Sequence, residues 1–144
     1  MIEVRNLNKK HRLNEKFLKN TAAKILKILD KKSGADISIA FLSDAAIRPI
    51  NKRYKRRDRA TDVLSFNLGA CGQILISSDT ALKNSKLFNT SFEEEIVLYV
   101  IHGILHLLGH EDRTGIQRKR MSEKEESVLK RLCRRNFSKV LTPR

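Results

Sequence analysis

Three of the four histidines in this chain fall inside one short apolar stretch, Tyr99-Val-Ile-His102-Gly-Ile-Leu-His106-Leu-Leu-Gly109-His110-Glu-Asp112. His102 and His106 are four residues apart, so on a helix they share a face with Cβ atoms roughly 5 to 6 Å apart, close enough for both imidazoles to hold one metal ion. Gly109 then stops the helix, because glycine takes the left-handed conformation that a sharp exit requires. A side chain beyond it can return to the ion as a third ligand, and Asp112 is the residue best placed to do so. The competing reading is a pair of hydrogen-bonded core histidines. Gly103 weighs against it on this view, since a glycine inside a helix costs about 1 kcal/mol relative to alanine and unpartnered buried imidazoles cost more.

The spacing His102, His106, Asp112 matches the metzincin-like arrangement HxxxHxxGxx(H/D), with Gly109 as the turning glycine. A catalytic zinc keeps three protein ligands and one position for water, whose pKa it lowers to about 7, whereas a structural zinc fills all four positions. In that class of protease a glutamate general base follows the first histidine; here Gly103 occupies the place, which removes peptide hydrolysis by that route. His110 is the alternative third ligand: better by residue type, but directly after the breaking glycine, where Asp112 has the longer return path. Glu111 is a candidate partner of the ligands or simply a solvated carboxylate.

The elements that must position these residues follow from hydrophobic period. Ile2 to Val4 reads as a short strand, and Asn14 to Lys32 as an amphipathic helix ended by Ser33-Gly34. Ile37 to Leu42 reads as a half-buried strand, and Ser43-Asp44 caps a helix reaching Tyr54, with Pro49 predicting a kink or late start. The basic stretch from Lys52 to Arg59 reads as a loop. Asp62 to Phe66 and Gln73 to Ser77 form a hairpin across the Asn67 to Gly72 turn. Ser78-Asp79 opens a short helix, and Ser91-Phe-Glu-Glu94 reads as a capping box for the histidine helix. That helix is apolar nearly all round from Ile96 to Leu108, so it should be central and covered on most sides. A last helix begins near Met121-Ser122 and runs past Leu132, followed by a basic tail from Arg134. The pattern predicts an α+β (α/β-layered) architecture: one small mixed sheet of about four strands packed with about five helices around the metal helix.

The chain has 144 residues, which predicts a single domain over 1–144. Its formal net charge of +14 predicts a polyanionic partner, nucleic acid first, with a merely solvated basic surface as the alternative. Lys52, Arg53, Lys55, Arg56, Arg57 and Arg59 flank Tyr54, a cluster suited to gripping a phosphate backbone while an aromatic ring stacks on a base. Cys71 and Cys133 lie far apart without CxxC pairing and read as buried or idle thiols. The amino terminus lacks a signal-peptide pattern and the apolar run around His102 is too short for a bilayer, so the expectation is a cytoplasmic protein without membrane contact.

Two blocks carry a family resemblance. His102-Gly-Ile-Leu-His106-Leu-Leu-Gly109-His110-Glu-Asp112 resembles the HGxLHLxGxDH signature of the bacterial YbeY family. Asn51-Lys-Arg-Tyr54-Lys-Arg-Arg-Asp58-Arg-Ala-Thr61-Asp62-Val-Leu-Ser-Phe66, followed by Gly72-Gln-Ile-Leu-Ile-Ser77, is similar to that family's second block and the strand after it. The resemblance implies a zinc-dependent, single-strand-specific endoribonuclease acting in ribosomal RNA maturation and ribosome quality control, with ribosomal RNA and the small ribosomal subunit as partners. It implies one Zn2+ ion on His102, His106 and Asp112, the last standing where the family has histidine and offering a harder, negatively charged ligand. Lys55 occupies the place of an arginine implicated in activity, keeping the charge without the bidentate fork, and Arg56 or Arg57 can substitute. On this reading Lys55 and Arg56 steady the phosphate while the metal activates water or the ribose 2′-hydroxyl. The rival is a non-catalytic ribosome-assembly factor with a structural zinc, which requires His110 to join the other ligands and close the sphere.

Overall fold

The computed structural model describes residues 1–143. In chain order the elements are β1 (Ile2–Asn6), α1 (Glu15–Leu29), β2 (Asp36–Leu42), α2 (Asp44–Lys55), β3 (Val63–Asn67), β4 (Cys71–Ser77), α3 (Ser78–Phe88), α4 (Phe92–Leu107) and α5 (Gly115–Arg131), followed by a 3-10 segment, Arg134–Val140. The sheet order is β1-β2-β4-β3. β1, β2 and β4 run parallel, with Val4 opposite Ile39 and Ile39 opposite Ile74; β3 turns back antiparallel to β4, with Ser65 opposite Ile74. The expected mixed sheet of four strands with five α-helices is therefore the architecture found.

The period-2 alternation of the strands sorts their side chains into two layers. Ile37, Ile39, Phe41, Ile74 and Ile76 face the larger core with residues from α1, α3, α4 and α5. Ala40, Leu42, Leu64 and Leu75 face the other way and pack on Ile47 of α2. α4 lies at the centre of the larger layer: Ile96, Val97, Ile101, Ile104 and Leu105 are fully buried, as a helix apolar on all sides must be.

Gly103 has a packing reason that its sequence context concealed. A Cβ there would stand 2.6 Å from Cγ2 of Ile74, so the glycine lets α4 press directly on β4. Its helix cost is a price of this close approach, and it carries no information about the histidines. Gly72 plays the reciprocal part on the strand, where a Cβ would meet Leu107 Cδ1 at 2.6 Å.

Several local expectations are corrected. α1 ends at Leu29 with Asp30 as its cap, before Ser33-Gly34, and α2 starts at Asp44 despite Pro49 because the Ser43 side chain accepts from the Ala46 amide. Lys52 to Lys55 form the last turn of α2 rather than a loop; cations suit the negative end of the helix dipole there. Ser91 caps α4 by accepting from the Glu94 amide, but the two-way capping box belongs to α5, between Thr114 and Gln117. α5 therefore begins at Gly115, six residues before the first inward apolar residue, Met121, which is where the hydrophobic period becomes visible. The basic tail from Arg134 packs back on the core: Phe137 and Val140 are buried, and the Asn14 amide donates to the Val140 carbonyl at 2.7 Å. Cys71 and Cys133 are both exposed. No described helix is long and apolar enough to cross a membrane.

Candidate metal centre

α4 ends in a Schellman motif, and this is what turns the chain back toward the histidines. Gly109 adopts φ 95°, the His110 amide donates to the Leu105 carbonyl at 3.0 Å, and the Gly109 amide donates to the His106 carbonyl at 3.0 Å. Three residues later Asp112 faces the helix again. Its Oδ2 lies 3.6 Å from His102 Nε2 and 3.4 Å from His106 Nε2, and the two Nε2 atoms are 3.0 Å apart. Three donors on a zinc ion at about 2.0 to 2.1 Å in tetrahedral geometry stand about 3.3 Å from one another, so the donor set fits one divalent ion without rearrangement. His110 is not part of this group: among the described residues, the cluster with ligand atoms within 4.8 Å of one another is His102, His106 and Asp112.

Glu125 carries no local signal along the chain that links it to the histidines. It projects from α5, and its Oε1 lies 3.2 Å from His102 Nδ1. Nδ1–H donating to this carboxylate fixes the tautomer whose Nε2 lone pair would be available to a metal ion, the arrangement common behind histidine ligands. Burial opposes charging of His102, but Glu125, Asp62 and Asp112 outweigh it and raise its pKa above the ordinary histidine value. His106 moves the other way, lowered by burial, by His102 and by Lys55, with Asp112 opposing. The surroundings thus push the two imidazoles in opposite directions.

The donors lie along an open cleft of about 620 Å³ whose far wall is β3 and the end of α2. Lys55, Arg57 and Arg113 line it, as do Asp62, Ser65 and Asn67. Of the two residues singled out beside the metal, Lys55 is in the cleft and Arg56 is not among its lining residues. Arg56 is the left-handed cap of α2, with φ 57°, and the turn it makes delivers Arg57 to the cleft in its place. Tyr54 is also outside the lining: it is 58% exposed, edge-on to Phe66 at 5.2 Å, with the Arg53 guanidinium 5.5 Å from its ring centre. Ser65 Oγ donates to the Gly103 carbonyl at 3.1 Å, pinning β3 to the helix that carries the histidines.

The profile of the family described as "Endoribonuclease YbeY" matches residues 3–133. The protein named Endoribonuclease YbeY from Aquifex aeolicus (strain VF5) is 36% identical over 110 residues, covering 71% of this chain and 73% of that protein. The one from Carboxydothermus hydrogenoformans is 33% identical over 139 residues, covering 92% of this chain and 97% of that protein. The one from Myxococcus xanthus is 38% identical over 107 residues, but this match spans only 36% of that longer protein. Among solved structures, the solution structure of TM1509 from Thermotoga maritima superposes with a TM-score of 0.63 at 30% identity, covering 91% of both chains.

Proposed function

This chain belongs to the endoribonuclease YbeY family, and from that premise we propose that it is a zinc-dependent endoribonuclease that cleaves single-stranded RNA in ribosomal RNA maturation and ribosome quality control. The observation that carries the reading is the convergence of three donors, His102, His106 and Asp112, inside a cleft walled by Lys55, Arg57 and Arg113. A metal-sized donor set beside fixed positive charge is what phosphodiester cleavage requires. A divalent ion, zinc in this proposal, supplies Lewis acidity toward the attacking oxygen and the phosphate. The chain's own residues do the rest. Glu125 holds His102 in orientation, and Lys55 and Arg57 draw the polyanion in and offset the charge that develops on the phosphate, with Arg56 adjacent to both.

The proposal extends to the whole chain acting as one domain in the cytoplasm, on ribosomal RNA in the small ribosomal subunit. The reading as an assembly factor with a structural zinc is not favoured, because a closed sphere needs a fourth donor and His110 stands apart from the other three. The test is to measure bound metal in the purified protein and compare cleavage of a single-stranded RNA by wild type and His106→Ala. Metal near one equivalent and loss of cleavage in the variant are expected. Equal residual cleavage in both preparations overturns the proposal.

A further inference from the structure

β3 is an edge strand, and its register decides which backbone groups face the cleft. The Ser77 amide donates to the Asp62 carbonyl and the Leu68 amide to the Cys71 carbonyl, both at 2.9 Å. These residues stand directly opposite one another, so in this antiparallel ladder Leu64 and Phe66 turn their amides and carbonyls toward β4, while Asp62 gives it its carbonyl and Leu68 its amide. The alternate residues, Val63, Ser65 and Asn67, turn theirs outward, and all three line the cleft. The Val63 amide is already taken by Asp62 Oδ1 at 2.7 Å. Asn67 stands at the turn end of the strand, and at its centre Ser65 keeps an amide donor and a carbonyl acceptor side by side, with no pairing group among the described residues.

That pair is held firmly against the metal helix, because the Ser65 side chain bonds the carbonyl of Gly103, the residue after His102. A donor beside an acceptor on a rigid edge is the complement of a nucleobase's Watson–Crick edge, which also offers a donor next to an acceptor. In a duplex that edge is consumed by the opposite strand, and in a single strand it is free. An extended peptide can pair with the same strand edge, but the three cations of the cleft, Lys55, Arg57 and Arg113, against two carboxylates outside the donor set, Asp62 and Glu111, and the net charge of +14 favour a polyanion.

Resting on the endoribonuclease reading above, we propose that the outward-facing backbone of Ser65 reads the Watson–Crick edge of an unpaired base at the cleavage site, and that this contact makes the cleft selective for single strands. The phosphate contacts of Lys55, Arg57 and Arg113 carry no such selectivity, since every nucleic acid presents phosphates. The β3 edge separates strands with accessible bases from strands without them.

The test is amide hydrogen exchange by NMR on the full chain, free and bound to a short 2′-O-methylated single-stranded oligonucleotide. A strand of the same length with abasic residues and an uncharged extended peptide serve as comparisons. The Ser65 amide should exchange freely in the free protein and slow at least tenfold with the base-containing strand, while the abasic strand shifts Lys55 and Arg113 signals without protecting Ser65. A parallel measurement compares Ser65→Pro with Ser65→Ala. Both lose the bond to Gly103, but only proline removes the outward amide, and an edge position with its amide facing solvent tolerates proline. The preference for single strand over duplex should fall about tenfold in Ser65→Pro relative to Ser65→Ala, the scale of one hydrogen bond. If Ser65→Pro does not fold, the exchange result on the unaltered protein decides. Unprotected Ser65 with shifted Lys55 and Arg113 overturns the base contact alone, as does equal protection by the abasic strand or by the peptide. No shift anywhere in the cleft overturns the endoribonuclease reading with it.

Discussion

Glu125 Oε1 and His102 Nδ1 lie 3.2 Å apart, a contact between helices α5 and α4 that spans 23 residues of sequence. Among the described residues it is the one carboxylate contact to the back of a candidate ligand, and it couples packing of α5 to the orientation of the first imidazole. Removing it leaves His102 free to rotate and to adopt the other tautomer. Glu125→Ala should therefore weaken metal binding about 10- to 100-fold with the fold retained, and Glu125→Gln, which keeps a hydrogen-bond acceptor, should fall between. Competition against a chelator of known affinity, with circular dichroism as the fold control, gives the answer. Unchanged affinity in Glu125→Ala would remove Glu125 from the site.

The close approach of α4 to β4 makes Gly103 a second point of leverage. Alanine there gains about 1 kcal/mol of helix propensity. It also places a Cβ 2.6 Å from Ile74 Cγ2, in a layer where Ile74 is fully buried. Overpacking of this kind costs about 1 to 3 kcal/mol, so Gly103→Ala should be net destabilising by about 1 kcal/mol in denaturant titration. In an Ile74→Ala background, where the clashing methyl is gone, the same substitution should be neutral or stabilising. Additivity of the two changes would show that they do not meet.

What the sequence disclosed divides along a physical line. His102, His106, Gly109 and Asp112 were legible because their relation is local: one helical turn fixes the first pair, and a glycine cap fixes the return. Glu125, Asp62 and Ser65 come from elements whose arrival at the cleft depends on tertiary packing, which no spacing along the chain encodes. Arg56 and Arg57 were indistinguishable by type, and the left-handed cap at Arg56 chose between them. The start of α5 is hidden from hydrophobic period because its first turn shows none, although Thr114 and Gln117 stand at capping-box spacing. Gly103 looks chemical beside two histidines, but its reason is the proximity of Ile74, which lies on another element.

Asp79, which does not line the cleft, ties three segments together: it accepts from Asn8 and Lys10 at 2.9 Å, from the Asp44 amide at 2.9 Å, and pairs with His11 Nε2 at 3.0 Å. Burial pushes its carboxyl upward, but the Asp44 amide, Lys10, Asn8 and His11 more than reverse this and hold it well below the ordinary 3.8. A depressed folded-state pKa contributes stability that is fully present above the unfolded value and is lost as pH falls below it. Asp79→Asn should therefore be less stable than wild type at pH 7, and the gap should narrow progressively below pH 3.8. Urea titrations across this range test the point. A gap that stays constant from pH 7 to pH 3 would mean that the Asp79 charge contributes nothing.

The cleft-lining cations give the sharpest division between neighbours in sequence. Each phosphate contact to a single strand contributes about 0.7 to the slope of log affinity against log salt. Lys55 and Arg57 line the cleft and Arg56 does not. Lys55→Ala and Arg57→Ala should each reduce that slope by about 0.7 and lower kcat/KM for a single-stranded RNA, whereas Arg56→Ala should leave the slope nearly unchanged and alter cleavage by less than either. Lys55→Arg distinguishes charge from geometry: a guanidinium restores the two-pronged phosphate contact that an ammonium lacks, so this variant should match or exceed the parent in kcat/KM. Were Arg56→Ala to reduce slope and rate more than Arg57→Ala, the phosphate path would run over the outer face of the α2 cap instead of through the cleft, and the RNA would approach the three metal donors from the opposite side.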